Sequence, residues 1–150
     1  MSNLKPGIDY VGMSTVFFCH DGNGKFLLHK RSKNCRDEQE TWEFGGGKLE
    51  FGTSLEENCL REIEEEYGCR GEIQEQLPPF NLFREGKNGK THWVTLPYIV
   101  KVSSEKARIA DPEKMDDIGW FTLDNLPSPL HSGVELELKE FRQYLERYSR

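Results

Sequence analysis

A glycine-rich turn leads directly into an acidic helix near the middle of this chain. Residues 46–68 have the sequence GGKLEFGTSLEENCLREIEEEYG. At about 100° per residue, Glu62, Glu65 and Glu66 fall on one stripe of the predicted helix, with Arg61 beside them. Crowded carboxylates repel one another, so such a stripe is typical of a site that holds a divalent cation. The segment therefore indicates magnesium-dependent chemistry on a phosphate ester or anhydride.

The same helix has an apolar side that predicts how it packs. Cys59, Ile63 and Tyr67 occupy the arc next to the acidic stripe, and this arc should be buried against a sheet. The acids would then lie at the rim of a cleft, whereas Glu64 falls on the far side and should be exposed. The competing interpretation is an acidic, well-capped surface helix, which most glutamate-rich helices are.

Turn and capping residues predict the elements that position this helix. The helix should begin at Thr53 or Ser54, each followed three residues later by a glutamate, and end at Gly68. Residues 11–20 and 25–31 predict a β-hairpin around the turn Asp-Gly-Asn-Gly. The acidic helix should therefore follow a strand pair and pack on its sheet.

The second half of the chain predicts one more long strand and a second helix. The predicted elements are a strand at 91–102, a charged loop at 106–117, a short strand at 119–122 and a helix at 133–148. Pro97 indicates that its strand lies at a sheet edge or carries a bulge, and Ser132 is the predicted helix cap. Strands interspersed with two helices indicate one domain, residues 1–150, of the α/β or α+β class.

Composition narrows the class of protein. Hydrophobic content of 35% and charged content of 31% are typical of a folded domain that stays in water. The formal net charge of −6 disfavours a nucleic-acid duplex as partner. No apolar run approaches the roughly 20 residues that span a bilayer, so a cytoplasmic protein without a membrane partner is expected. The four cysteines form no CxxC pair, which favours free structural thiols over a zinc site.

Residues 47–69 resemble the Nudix box, the 23-residue signature Gly-x5-Glu-x7-Arg-Glu-U-x-Glu-Glu-x-Gly-U, where U is a bulky apolar residue. The matching positions are Gly47, Arg61, Glu62, Ile63, Glu65, Glu66 and Gly68, with Cys69 a weaker last match. The wider layout is similar to the branch of this family that cleaves nucleoside triphosphates. The resemblance implies the Nudix α/β/α sandwich with a mixed sheet, and hydrolysis of a nucleoside diphosphate linked to another group.

The resemblance also implies roles for individual residues. Glu62 and Glu66 would be ligands of Mg²⁺ or Mn²⁺, Glu65 would help directly or through water, and the carbonyl of Gly46 would be a further ligand. Arg61 would orient the acids. In parts of the family, the residue at the Glu62 position is also proposed as the base that activates water.

One position departs from the signature in a way that bears on activity. Thr53 stands where the first glutamate of the signature belongs, and that glutamate usually assists the metal network. Its loss could lower activity, alter the number of metal ions, or be offset by Glu50. A gain in helix capping is the structural explanation for threonine.

Two further groups of residues are candidates outside the box. Glu113 is the predicted additional acidic ligand, with Asp111, Asp116 and Asp117 as rivals and a solvated charged loop as the alternative. Lys30, Arg31 and Lys48 are predicted to contact substrate phosphates, and ordinary surface charge is the alternative for each.

Three functions compete at this point. The first is hydrolysis of a nucleoside triphosphate to the monophosphate and pyrophosphate. The second keeps the mechanism but takes ADP-ribose or a nucleotide sugar. The third is a catalytically silent domain that binds nucleotides as a sensor, which only Thr53 favours. In each case the partner is a small nucleotide, bound by a monomer or a homodimer.

Overall fold

The computed structural model describes residues 3–87 and 89–150, which form a mixed eight-stranded sheet with a helix on each face. The strands are β1 (Gly12–His20), β2 (Phe26–Arg31), β3 (Trp42–Glu43), β4 (Gly45–Lys48), β5 (Glu72–Gln76), β6 (Phe80–Gly86), β7 (Gly89–Lys101) and β8 (Met115–Phe121). The helices are α1 (Leu55–Tyr67) and α2 (Ser132–Leu145), and a 3-10 turn follows α2 at Glu146–Tyr148. Neither of these described helices has the length and apolar character needed to cross a bilayer.

The sheet opens a gap that the glycine segment fills. β1 runs parallel to β7, and the other strand pairs are antiparallel. β1 and β2 form the predicted hairpin, but they pair only at His20 and Phe26 and then separate. The segment from β3 to β4 enters between them, pairing first with β2 and then with β1. This arrangement places the glycines of β4 next to α1.

Each face of the sheet carries its own apolar core. On the α1 face, Cys59, Ile63 and Tyr67 pack with strand residues such as Phe17. On the α2 face, Val134, Phe141 and Leu145 pack with strand residues such as Phe18. The two cores confirm the predicted α/β/α sandwich, and all four cysteines are free thiols.

The ends of α1 follow the predicted capping chemistry. The Ser54 hydroxyl accepts a hydrogen bond from the Glu57 N–H at 3.2 Å, and the Glu57 carboxylate accepts one from the Ser54 N–H at 3.5 Å. This reciprocal pair is a capping box. The helix ends at Gly68 in the left-handed conformation, with φ of 65°. Ser54 rather than Thr53 is therefore the cap, and Thr53 lies just outside the helix.

The predicted edge position of Pro97 was wrong, because β7 lies inside the sheet. This strand pairs with β1 on one side and with β5 and β6 on the other. The Pro97 carbonyl accepts a hydrogen bond from the Leu77 N–H at 2.8 Å, in the break between β5 and β6. A break in the partner strands is where a missing N–H costs no ladder hydrogen bond.

Two element boundaries also differ from the prediction. β8 begins at Met115 instead of residue 119, since β2 pairs with it as far as Arg31 and draws the charged segment into the sheet. α2 is capped by His131 rather than Ser132, because the His131 Nδ1 accepts the Gly133 N–H at 2.9 Å. The helix ends at Leu145, and a 3-10 turn covers the rest of the predicted span.

Candidate active site

The acids of α1 lie against the glycines of β4. A methyl group on Gly47 would sit 2.2 Å from the Glu62 carboxyl carbon, so only glycine leaves room for that side chain. The Gly46 N–H lies close enough to the Glu66 carboxyl group to lower its pKa. Both carboxylates are buried, with Glu62 8% and Glu66 5% exposed. The structure thus brings together two of the predicted ligands and the predicted glycine turn.

Arg61 lies between two of the acidic residues of α1. Its guanidinium lies 3.6 Å from the Glu62 carboxylate and 3.7 Å from that of Glu65. It also donates a 2.6 Å hydrogen bond to the Asn58 side chain, which in turn donates to the Thr15 hydroxyl at 2.9 Å. Asn58 is fully buried and joins α1 to β1. The Arg61 guanidinium thus contacts two of the acids and, through Asn58, is joined to β1 of the sheet.

Burial and mutual repulsion make negative charge unfavourable at this site. Burial raises the pKa of Glu66 well above its ordinary value, and the carboxylates of Glu43 and Glu62 raise it further. Burial and the neighbouring Glu65 carboxylate also raise the pKa of Glu62. Glu65 and Glu64 are exposed, which confirms the predicted far-side position of Glu64. A bound cation would relieve the repulsion at the two buried carboxylates.

The donor set fits a hard divalent cation. The Oε2 atom of Glu66 is buried and has no hydrogen-bond partner among the described residues. Carboxylate oxygens are the ligands that Mg²⁺ prefers, and Mg²⁺ draws its other ligands from water and substrate phosphate. Within residues 3–87 and 89–150, no three His, Cys, Asp or Glu side chains already converge as a complete protein cage. The site therefore suits an ion that uses few protein ligands.

A cleft of about 330 Å³ runs along β4, and we call it the β4 cleft. Its ionisable lining residues are Arg31, Arg36, Asp37, Glu43, Lys48, Arg84, His131 and Glu137. Apolar side chains that line it include Val16, Phe44, Leu82 and Trp93. Its volume lies within the range of pockets that hold small-molecule ligands, roughly 300–1,000 Å³.

The three residues predicted to contact phosphate do not all line the same cleft. Arg31 and Lys48 line the β4 cleft, whereas Lys30 is not among its lining residues. Arg31 is engaged with Glu43 at 3.0 Å and with Asp37 at 2.9 Å. Lys48 forms no ion pair with another described residue, which leaves its ammonium group available to a ligand.

Glu113 does not join the acids of α1 in this structure. Its side chain is exposed and accepts a hydrogen bond from the Asn34 amide at 3.3 Å, and its carbonyl accepts one from Ser32. The positive charge of the neighbouring Lys114 acts on both Glu62 and Glu66, and that of Arg61 also acts on Glu62. The predicted fourth acid therefore faces the loop at 32–40.

Glu43 is the centre of a partly buried polar chain. It accepts hydrogen bonds from His29 at 2.9 Å and from Arg31 at 3.0 Å. The other nitrogen of His29 lies 2.7 Å from the Tyr67 hydroxyl in the core. Burial alone would raise the pKa of Glu43, but the interactions with His29 and Arg31 outweigh it and lower that pKa to about 2. Glu43 therefore stays charged and fixes Arg31 beside the cleft.

Glu38 fastens the loop at 32–40 to the start of α2. Its carboxylate accepts hydrogen bonds from the N–H and the hydroxyl of Ser132, each at 2.8 Å. It also pairs with Arg84 at 2.7 Å and with His131 at 3.0 Å. Glu38 adopts a left-handed φ of 43°, which these four contacts offset. One wall of the β4 cleft is thereby anchored.

Sequence reasoning missed several residues of the β4 cleft, namely Arg36, Glu43, Arg84, Trp93 and Glu137. For most of them the sequence holds no signal, because they come from separate loops and strands. Glu137 is the exception, since it interrupts the apolar stripe of α2 at helical spacing.

The fold and the site define an α/β/α domain whose acidic helix lies against a glycine strand. The model of the NUDIX domain family matches residues 12–144. The chain therefore belongs to the Nudix family, whose members hydrolyse phosphoric anhydrides in nucleoside diphosphate-linked compounds.

Known proteins show the same likeness. The chain is 31% identical to the nucleoside triphosphatase NudI of Enterobacter sp. (strain 638), over 69% of this chain and 77% of that protein. It is 24% identical to the 8-oxo-dGDP phosphatase NUDT18 of Mus musculus, over 91% of this chain but 39% of that protein. This chain thus spans about two fifths of the mouse relative. A MutT Nudix hydrolase from Burkholderia pseudomallei superposes with a TM-score of 0.74 and 29% identity, covering 86% of this chain and 96% of the other.

Proposed function

We propose that this chain hydrolyses a nucleoside triphosphate to the nucleoside monophosphate and pyrophosphate, with Mg²⁺ or Mn²⁺ as its cofactor. The observation that carries the proposal is the pair of buried carboxylates, Glu62 and Glu66, held against the glycines of β4 beside a cleft of ligand size. One of the two curated relatives is named a nucleoside triphosphatase, which supports a triphosphate, and the name of the other specifies the nucleoside diphosphate 8-oxo-dGDP.

The cation would be held mainly by Glu62 and Glu66, with Glu65 assisting through water from its exposed position. The N–H and C=O of a strand residue point to the same side of the strand, so the interaction of the Gly46 N–H with Glu66 favours the Gly46 carbonyl as a further ligand. When bound, the cation would neutralise phosphate charge and activate water for attack on phosphorus. Glu113 would take part only if the cation drew it away from Asn34.

The remaining residues would bind and orient the substrate. Lys48 lies at the end of β4, next to the glycines, and would meet the phosphates as they approach the acids. Arg31, held by Glu43, would present a fixed positive charge to the same phosphates. Arg61 would keep the acids in place without touching the substrate.

The first experiment measures phosphate and pyrophosphate release from a panel of substrates with Mg²⁺, Mn²⁺ or EDTA. The panel contains the common and oxidised nucleoside triphosphates, ADP-ribose, nucleotide sugars and dinucleoside polyphosphates. Pyrophosphate release from a triphosphate, abolished by EDTA, is the expected result. Cleavage of ADP-ribose or a nucleotide sugar alone would replace the proposed substrate with the second class and leave the site assignment intact.

Thr53 decides between an enzyme and a silent binding domain. Nucleotide binding without turnover at any metal concentration would contradict the enzyme proposal. In that case the variant to test is Thr53→Glu, which restores the signature residue and shows whether its loss is the reason for the missing turnover. In an active enzyme the same change should leave turnover unchanged or raise it, because residue 53 lies outside α1 and disturbs no helical hydrogen bond.

A further inference from the structure

One carboxyl group on α2 stands among apolar neighbours without a partner. Val134, Phe141 and Leu145 form the buried face of the helix, and Glu137 falls on that same face with 7% exposure. No hydrogen bond or ion pair joins the Glu137 side chain to another of the residues in 3–87 and 89–150. The Glu137 oxygens are not among the fully enclosed unpartnered atoms, so they open into the cleft that this side chain lines, where a ligand can supply the missing hydrogen bonds.

Glu137 lines the β4 cleft, where a ligand can reach it. Gly133 of the same helix, Leu82 and Trp93 share this lining, as do the glycines of β4. Aromatic and aliphatic walls with a few fixed polar groups are typical of sites for flat, partly apolar ligands. Because the α1 acids lie against the same glycines, a nucleotide with its phosphates at those acids would extend its base into this cleft.

We propose that Glu137 is a specificity-determining residue, which binds the nucleobase through an edge that presents a hydrogen-bond acceptor beside a donor. The inference rests on the nucleotide substrate proposed above. It adds that the protein recognises the nucleobase of the substrate, and that the recognising group is the Glu137 carboxyl.

The ionisation state of Glu137 accounts for this choice of edge. Burial and the nearby Glu43 carboxylate raise the pKa of Glu137 to about 8, against the opposing charge of Arg84. The group is therefore neutral near pH 7, and a neutral carboxyl offers one O–H donor and one carbonyl acceptor. A lactam or an amino-imine edge of a base matches that pair. An ionised carboxylate would instead accept two hydrogen bonds and match two neighbouring donors.

The test is calorimetric titration with the product side of the reaction, so that it does not depend on turnover. The probes are AMP, GMP, CMP and UMP, with ribose 5-phosphate as the base-free control. The variants are Glu137→Leu, which removes both hydrogen-bonding atoms, and Glu137→Gln, which keeps one donor and one acceptor. Glu140→Gln on the exposed face of α2 is the matched control, and a thermal melt confirms that each variant is folded.

We expect the native protein to bind one monophosphate more tightly than ribose 5-phosphate. Glu137→Leu should weaken that monophosphate roughly 10- to 100-fold, with ribose 5-phosphate unchanged, while Glu137→Gln stays within about threefold. An unchanged preference in Glu137→Leu, or a native protein without any preference, would overturn the assignment of Glu137. Equal losses in both variants would overturn the acceptor-and-donor edge. If this pattern holds but no triphosphate is cleaved, the proposed reaction fails and the base-reading role stands.

Discussion

The buried carboxyl of Glu137 should make the protein less stable as the pH rises, and Glu137→Gln should remove that penalty. Burial raises the pKa of Glu137 from 4.5 to about 8. A folded-state pKa above the unfolded value means that the folded protein binds the proton more tightly. Its contribution to stability is therefore fully present below about pH 4.5, and it is lost progressively as the pH rises towards 8.

The size of the effect follows from the pKa shift. Each pH unit between the two pKa values costs about 1.4 kcal/mol of the free energy of unfolding. Between about pH 5 and pH 7, the native protein should lose about 2–3 kcal/mol relative to Glu137→Gln. For a chain of this size, a difference of that order moves the thermal midpoint by roughly 5–10 °C.

Urea denaturation at several pH values, followed by circular dichroism, measures this difference. The quantity to compare is the difference in unfolding free energy between the native protein and the variant. Effects of the substitution that do not depend on pH cancel when this difference is compared between two pH values. Glu140→Gln, on the exposed face of the same helix, should show a gap that does not change with pH. If the difference for Glu137→Gln also stays constant with pH, burial does not raise the pKa of Glu137, and the carboxyl group is not neutral near pH 7.

The other predictions concern the metal site and its supports. Glu66→Gln should keep the fold but reduce turnover by orders of magnitude, because it removes charge from the buried site. Glu64→Gln, on the exposed face of the helix, should change turnover little. Equal effects of the two variants in a pyrophosphate-release assay would contradict the site geometry. Gly47→Ala should also abolish turnover, because the new methyl group would displace the Glu62 carboxylate, and full activity would show that this contact is unimportant. Glu43→Gln should lower the free energy of unfolding by about 3 kcal/mol at neutral pH, since its pKa is lowered from 4.5 to about 2. That stability is present above about pH 4.5 and is lost as the pH falls towards 2, so urea denaturation should find the gap between native and variant closing over this range.

The acidic helix could be predicted from the sequence because its information is local. The spacing of Glu62, Glu65 and Glu66 along one helix determines which of them share a face, and no other segment is needed to deduce it. The cap at Ser54 and the stop at Gly68 depend on residues within one turn of the helix ends. The layered fold followed from the alternation of strands and helices, for the same reason.

The rest of the site depends on segments that meet only in the folded protein. Pro97 looked like an edge residue, and only the break between β5 and β6 shows how an internal strand accepts it. Glu113 was predicted as a ligand, and in the structure its carboxylate accepts a hydrogen bond from Asn34, which is 79 residues away in the chain.

The pKa of Glu43 also depends on residues that meet only in the folded protein. Its low pKa comes from His29 and Arg31, residues of a neighbouring strand that the sequence does not place beside it. Glu137 could be seen as an interruption of an apolar stripe, yet only the tertiary structure shows that the interruption opens into the β4 cleft. The sequence by itself determined which helix carries the acids. The packing of distant strands and loops decided which side chains surround them, because burial and pairing are properties of the assembled layers.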